Sequence, residues 1–255
     1  MHSLNSLISL LLLTATFLAS QIPFTSATPL PRALSIPPAP ADPPKPADGD
    51  GIGPYNSQDA GIRDRLAKTK FYAVAVAAGE LGLVNAERGM RHYLGNSGND
   101  LNVPPESMMS GLSKLRDSVK ALAQNEAAAA YKSISGASGE KAFRSSWKNF
   151  YATKDQSWDW YFAIGGFSYS VTGVVTKASG GGSLKYRVHV FDRYNWDAGK
   201  SVDIGPFHFE DTELGNLHLK GLAREYTVRG SSAVNEVKKF TPTTVIPPPS
   251  TGGRG

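Results

Sequence analysis

The sequence predicts an α+β fold: an N-terminal helical hairpin or bundle packed on a small C-terminal antiparallel β-sheet with one short helix. Two observations carry it. Apolar residues recur at helical spacing up to about residue 151, and they alternate in strand fashion from about 157. A third observation frames the body. Of 17 prolines, ten precede Tyr55 and four follow Thr241, so Tyr55–Phe240 holds only Pro104, Pro105 and Pro206. One folded domain, 55–240, is therefore expected between two proline-rich tails, helical over 57–151 and β-rich over 157–232.

The first 27 residues read as a secretory signal. Leu7, Ile8, Leu10–Leu13, Ala15, Phe17 and Leu18 form a short apolar core. Thr25-Ser26-Ala27 offers small residues for cleavage, with Leu18-Ala19-Ser20 as an earlier alternative. The run is shorter than the roughly 20 residues a membrane span needs, so no transmembrane anchor is expected and the mature chain is predicted to be secreted. Residues 28–54, rich in proline and alanine, read as a solvated linker or a propeptide, and 241–255 as a disordered tail.

Within the body, Asp59 is placed to cap a helix running through Ile62, Leu66, Phe71 and Val74 towards Tyr93, with Glu87 and Arg91 spaced to pair. Pro105 suits a first helical position. Met108, Leu112, Leu115, Val119 and Leu122 then form a stripe expected to pack antiparallel on the first helix. Lys141–Tyr151 reads as a third helix. Phe167, Tyr169, Val171 and Val175 alternate along a strand, Gly180–Ser183 forms a turn, and Leu184, Tyr186, Val188 and Val190 line the return strand. Pairing them gives one apolar face and one face of hydroxyls with Lys185, Arg187 and His189. Asp211–Ala223 reads as a short helix, and Glu225–Arg229 as a last strand.

Composition excludes several chemistries. The chain has no cysteine, which removes disulfides, thiolate zinc sites and a cysteine nucleophile. No P-loop, dinucleotide fingerprint, Gly-x-Ser-x-Gly or His-Glu-x-x-His occurs. A net charge of +5 over 255 residues is modest, so nucleic acid is not an expected partner. A monomer is expected.

The densest chemistry lies from Asp192 to Lys200. Alternation places Asp192 at the apolar face, at the end of its strand, where a carboxylate needs a partner or a water-filled cleft. Tyr194, Asn195 and Asp197 follow, so this loop could activate water, hold a metal or grip a phosphate. The same residues also suit a structural loop, with Trp196 plugging the core end. His208 and Glu210 share a strand face and form a second acid–base candidate. Arg187, His189, Arg193 and Lys200 are candidate substrate-binding cations. His218 reads as a helix-surface or core histidine.

Four segments carry a resemblance: Gly166–Gly173 (GFSYSVTG), Asp192–Lys200 (DRYNWDAGK), Leu214–Ala223 (LGNLHLKGLA) and Glu225–Ser231 (EYTVRGS). Their order resembles the C-terminal region of uncharacterised exported and polymorphic-toxin-like bacterial proteins. More distantly, the layout is similar to the colicin M family of lipid II-degrading bacteriocins, in which a helical part precedes a β-rich catalytic domain. Asp192 and Tyr194 match that family's Asp-x-Tyr-Asp motif. Asn195 stands where the second acid would be and no His-Arg follows, so Asp197, Lys200, His208 or His218 would have to substitute. The resemblance implies hydrolysis of a lipid-linked diphosphate with a divalent cation such as Mg²⁺. The expectation is thus a secreted toxin- or effector-like protein whose target lies outside the producing cell. That target is a lipid-linked phosphate if it is a hydrolase. If instead it is a binding module, the hydroxyl-rich sheet face would grip a wall glycan or a host surface protein.

Overall fold

The computed structural model describes residues 33–44, 51–196, 201–204 and 207–252, with 201–204 and 207–209 described by their backbone alone. The predicted leader lies outside the described residues. In chain order the elements are α1 (Ile62–Glu80), α2 (Val84–Leu94), β1 (Leu101–Asn102), α3 (Pro105–Gly111), α4 (Ser113–Lys132), β2 (Gly139–Arg144) and β3 (Lys148–Tyr151). There follow α5 (Trp158–Ala163), β4 (Gly166–Lys177), β5 (Gly182–Tyr194), β6 (Ser201–Ile204), β7 (Phe207–Glu210), α6 (Asp211–Leu219), β8 (Tyr226–Ser231) and β9 (Asn235–Phe240). The fold is α+β, as the sequence predicts.

The long β4–β5 hairpin is the spine. Val171 lies opposite Val188 and Thr172 opposite Arg187, so the alternation read from sequence sets the register. Each spine strand takes two partners end to end: β4 pairs β3 and β2, and β5 pairs β8 and β9. β1 adds to β8 in parallel, which makes the described seven-stranded sheet mixed instead of purely antiparallel. β6 and β7 form a separate two-stranded ribbon.

Four expectations are corrected. The first helix breaks at Leu81–Leu83, where Gly82 takes a positive φ of 88° that glycine adopts without steric cost, and the chain turns back as α2. α1 is capped at Gly61, whose N–H donates to the Asp64 carboxylate, and not at Asp59. Lys141–Tyr151 is two strands, not a helix. Phe143 sits opposite Gly173, and a side chain at Gly173 would collide with the Phe143 ring, so the aromatic fills the glycine's gap. α4 packs on β2, β4 and β5 and not on α1. Its buried stripe runs Leu115, Val119, Ala123, Ala127 and Ala130, and the alanines let the helix lie close to Val171, Val175 and Leu184.

α2 owes its start to a distant acid. The Asp159 carboxylate accepts from the Asn85 and Ala86 N–H groups at 2.9 Å and from Asn85 Nδ2 at 2.7 Å, satisfying donors that a helix N-terminus leaves open. Tyr93 Oη donates to Leu214 O and Tyr226 Oη to Gly89 O, tying α2 to α6 and β8. The expected Glu87–Arg91 pair forms at 2.9 Å.

The proline-rich flanks also differ from expectation. Residues 33–44 lie on the sheet through several long-range hydrogen bonds, and 241–252 dock against α4. Gln124 donates to Thr244 O and accepts from Ile246 N, and the Ile246 side chain is wholly buried. Neither described stretch is a solvated spacer.

Candidate functional site

Asp192 is the penultimate-but-one residue of β5, paired with Val228, and its parity with Val188 and Val190 turns it to the helix-covered side of the sheet. There it borders a cavity of about 430 Å³. The apolar wall comes from Phe71, Val74 and Ala75 of α1, Met90 of α2, and Phe162 and Ile164 at α5. The polar wall comes from Asp192, Asn195 and Asp211, the last at the first turn of α6. The local sequence explains this division. α1 is apolar on several sides at Phe71–Ala78 because it is covered by α2 on one side and faces the cavity on another.

Both carboxylates converge on one phenol. Tyr194 is buried and stacks on Tyr226 with centroids 4.6 Å apart and planes 13° apart. Burial pushes its ionisation well above the ordinary phenol value, and the negative charges of Asp192 and Asp211 push it further. Tyr194 therefore stays neutral at physiological pH and serves as a fixed aromatic pillar beside the acid pair.

Trp196 forms part of the cavity wall and packs near Tyr93 and Tyr194. Its backbone N–H donates to Glu225 Oε1 at 3.2 Å. Its indole Nε1 is buried without a hydrogen-bond partner. The indole packs against the core and forms part of the cavity lining.

The predicted site residues fall into three groups. Asp192, Tyr194 and Asn195 come together at the cavity. Arg187 and His189 do not join them, because strand alternation carries their side chains to the other face; Arg193 contributes to the cavity lining, but its guanidinium donates to Pro43 O. The reading in which Arg187 or His189 neutralises a phosphate held at Asp192 is thereby corrected: the sheet stands between them. Asp197 and Lys200 lie outside the described residues. So does the side chain of His208, whose backbone pairs with Asp203 in the β6–β7 ribbon. His218 is a core histidine. It is buried on α6, its Nδ1 accepts from the Glu225 N–H at 3.2 Å, and burial holds its pKa below the ordinary value.

Asp211 is the residue that sequence reasoning missed as chemistry. It is legible only as the first residue of the predicted helix, since its place at the cavity with Asp192 depends on how α6 docks. Among the described residues no group of three or more His, Asp or Glu side chains could form a metal cage. Two carboxylates with the Asn195 amide are a sparser set. They suit Mg²⁺, which is held by one or two carboxylates together with substrate phosphates.

Comparison with protein-family models, curated proteins and solved structures found no significant match.

Proposed function

We propose that this chain is exported and acts outside the producing cell on a lipid-linked phosphate. Its apolar chain would enter the cavity between α1, α2 and α5, and its head would meet Asp192 and Asp211. One observation supports this most directly: a cavity of about 430 Å³ with an apolar wall from α1, α2 and α5 carries Asp192 and Asp211 in its polar lining. That volume lies within the range typical of small-molecule sites. A bound Mg²⁺ would neutralise phosphate charge and polarise the phosphorus centre. Asp192, at the strand end, is the base that would take the proton of an attacking water. Asp211 would fix the head from α6, and Asn195 would orient it.

The hydroxyl face that a glycan- or protein-binding reading would use is occupied at Thr172 by residues 33–44, so the cavity is the more open of the two surfaces. The test is release of phosphate or diphosphate from farnesyl diphosphate by the full chain with Mg²⁺. Asp192→Asn should lower the rate at least about 100-fold, as loss of a general base does. No product with wild type, or full activity in Asp192→Asn, would reject the reading.

A further inference from the structure

The sheet's outer face is polar by sequence, yet Ser170 and Thr172 are 0% exposed and His189 only 2%. Residues 33–44, with five prolines in twelve, lie across it. A proline-rich segment has few N–H groups to offer a strand edge, so the receiving surface must supply donors to its carbonyls. Here it supplies four from four elements or their flanks. Thr172 Oγ1 donates to Pro37 O at 2.8 Å, Arg144 Nε to Pro38 O at 3.2 Å, Trp147 Nε1 to Ala41 O at 2.7 Å and Arg193 Nη2 to Pro43 O at 2.6 Å. The one charged anchor is Asp42, held bidentately by Arg229, with Nη2 to Oδ2 at 2.7 Å.

The donor side is itself organised. Since Thr172 gives its proton to Pro37, His189 Nε2 must donate to Thr172, at 2.9 Å, and Nδ1 must accept from Ser231 Oγ, at 2.8 Å. A hydrogen-bonded chain Ser231–His189–Thr172, exposed at Ser231 and buried at His189 and Thr172, thus ends on a peptide carbonyl. Every bond from these side chains to the segment goes to a main-chain oxygen or to Asp42, and none requires that the segment be covalently joined to this body.

We infer that the outer face is a groove for an extended, proline-rich peptide bearing one acidic residue, and that residues 33–44 are its occupant in cis. The groove accepts the same chemistry from a separate chain, in competition with the tethered segment. A tether gives the resident segment an effective concentration in the millimolar range, so the wild-type face takes up free peptide only weakly.

The probe is a labelled synthetic peptide of residues 33–44, titrated into the full chain and read by fluorescence anisotropy. In the full chain carrying Asp42→Lys, which repels Arg229, binding should tighten at least tenfold over wild type. In the full chain carrying Arg229→Asp alone, which repels Asp42 of the resident segment, the native peptide should not bind, whereas a peptide with lysine at position 42 should bind at least tenfold more tightly than native peptide binds wild type. Equal binding by wild type and Asp42→Lys, or indifference to Arg229→Asp, would overturn the inference. A measurement on the unaltered chain guards against misfolding of the variants. A spin-labelled peptide at millimolar concentration should broaden the Trp147 indole N–H resonance, and an unchanged resonance would also overturn it.

Discussion

Asp192 and Arg193 are neighbours in β5 and serve opposite faces of the sheet. Asp192 borders the apolar cavity with Asp211, whereas the Arg193 guanidinium reaches Pro43 O on the far side. Period-two alternation alone separates them, and it divides the protein into an acidic cavity under the helices and a cationic groove under a proline strap.

The strap face should make stability depend on pH through His189. Burial, with the charges of Arg187 and Arg144 adding to it, pushes His189 down to about 4 from an ordinary value of 6.5. Above pH 6.5 both folded and unfolded states are neutral there, and the group contributes no slope. Below it the unfolded chain takes up the proton first, so stability falls by roughly 1.4 kcal/mol per pH unit down to about pH 4. Urea unfolding followed from pH 7 to pH 4.5 should show this loss, and His189→Gln should flatten it. A wild-type profile with no such slope would contradict the buried neutral histidine.

Asp42 should work in the same direction at lower pH. The Arg229 hydrogen bond holds its carboxyl below the usual value, so its contribution is present above the unfolded pKa and is lost only as pH falls through the folded one. Hydrogen exchange of the Trp147 indole should therefore stay slow at pH 5 and accelerate below about pH 3.8, the ordinary aspartate value. Fast exchange already at pH 6 would count against the anchor.

Gly173 is predicted to tolerate no side chain. A Cβ there would meet the Phe143 ring and Lys185 O, so Gly173→Ala must displace either a core aromatic or a neighbouring strand. The expected cost is about 1–3 kcal/mol in chemical denaturation. Pairing it with Phe143→Leu should recover part of that loss, and a neutral Gly173→Ala would show that the strand gives way freely.

Ile246 tests whether the C-terminal stretch belongs to the folded body. Its side chain is wholly buried and Gln124 brackets it with two hydrogen bonds. Ile246→Ala should cost about 2–5 kcal/mol, as other fully buried truncations do. A change below 0.5 kcal/mol, the scale of surface substitutions, would return this stretch to the status of a tail.

Much of the sheet was legible because its pattern is local. The alternation from Phe167 to Val175 and from Leu184 to Val190, with glycines between, specifies a hairpin whichever elements pack on it. Lys141–Tyr151 was misleading because Phe143, Trp147, Phe150 and Tyr151 fall at helix-like intervals. Their true order comes from pairing with β4, about 25 residues later in the chain. The proline segments failed for a related reason. Their composition says that they cannot form a core, but not that Thr172, Arg193 and Arg229 wait to bond them. At the site, the position of Asp192 followed from strand parity. The contribution of Asp211 could not, since it rests on the tertiary docking of α6 against α1 and β7.

The central claim, that the cavity beside Asp192 holds the lipid part of a substrate, is tested most directly by filling it. Ala75 of α1 is buried and lines its apolar wall. Binding of farnesyl diphosphate with Mg²⁺ should be measured by titration calorimetry for wild type and Ala75→Phe, with thermal melts confirming that both are folded. The account predicts micromolar uptake by wild type and at least a tenfold loss in folded Ala75→Phe. Equal affinity in the two proteins would contradict it.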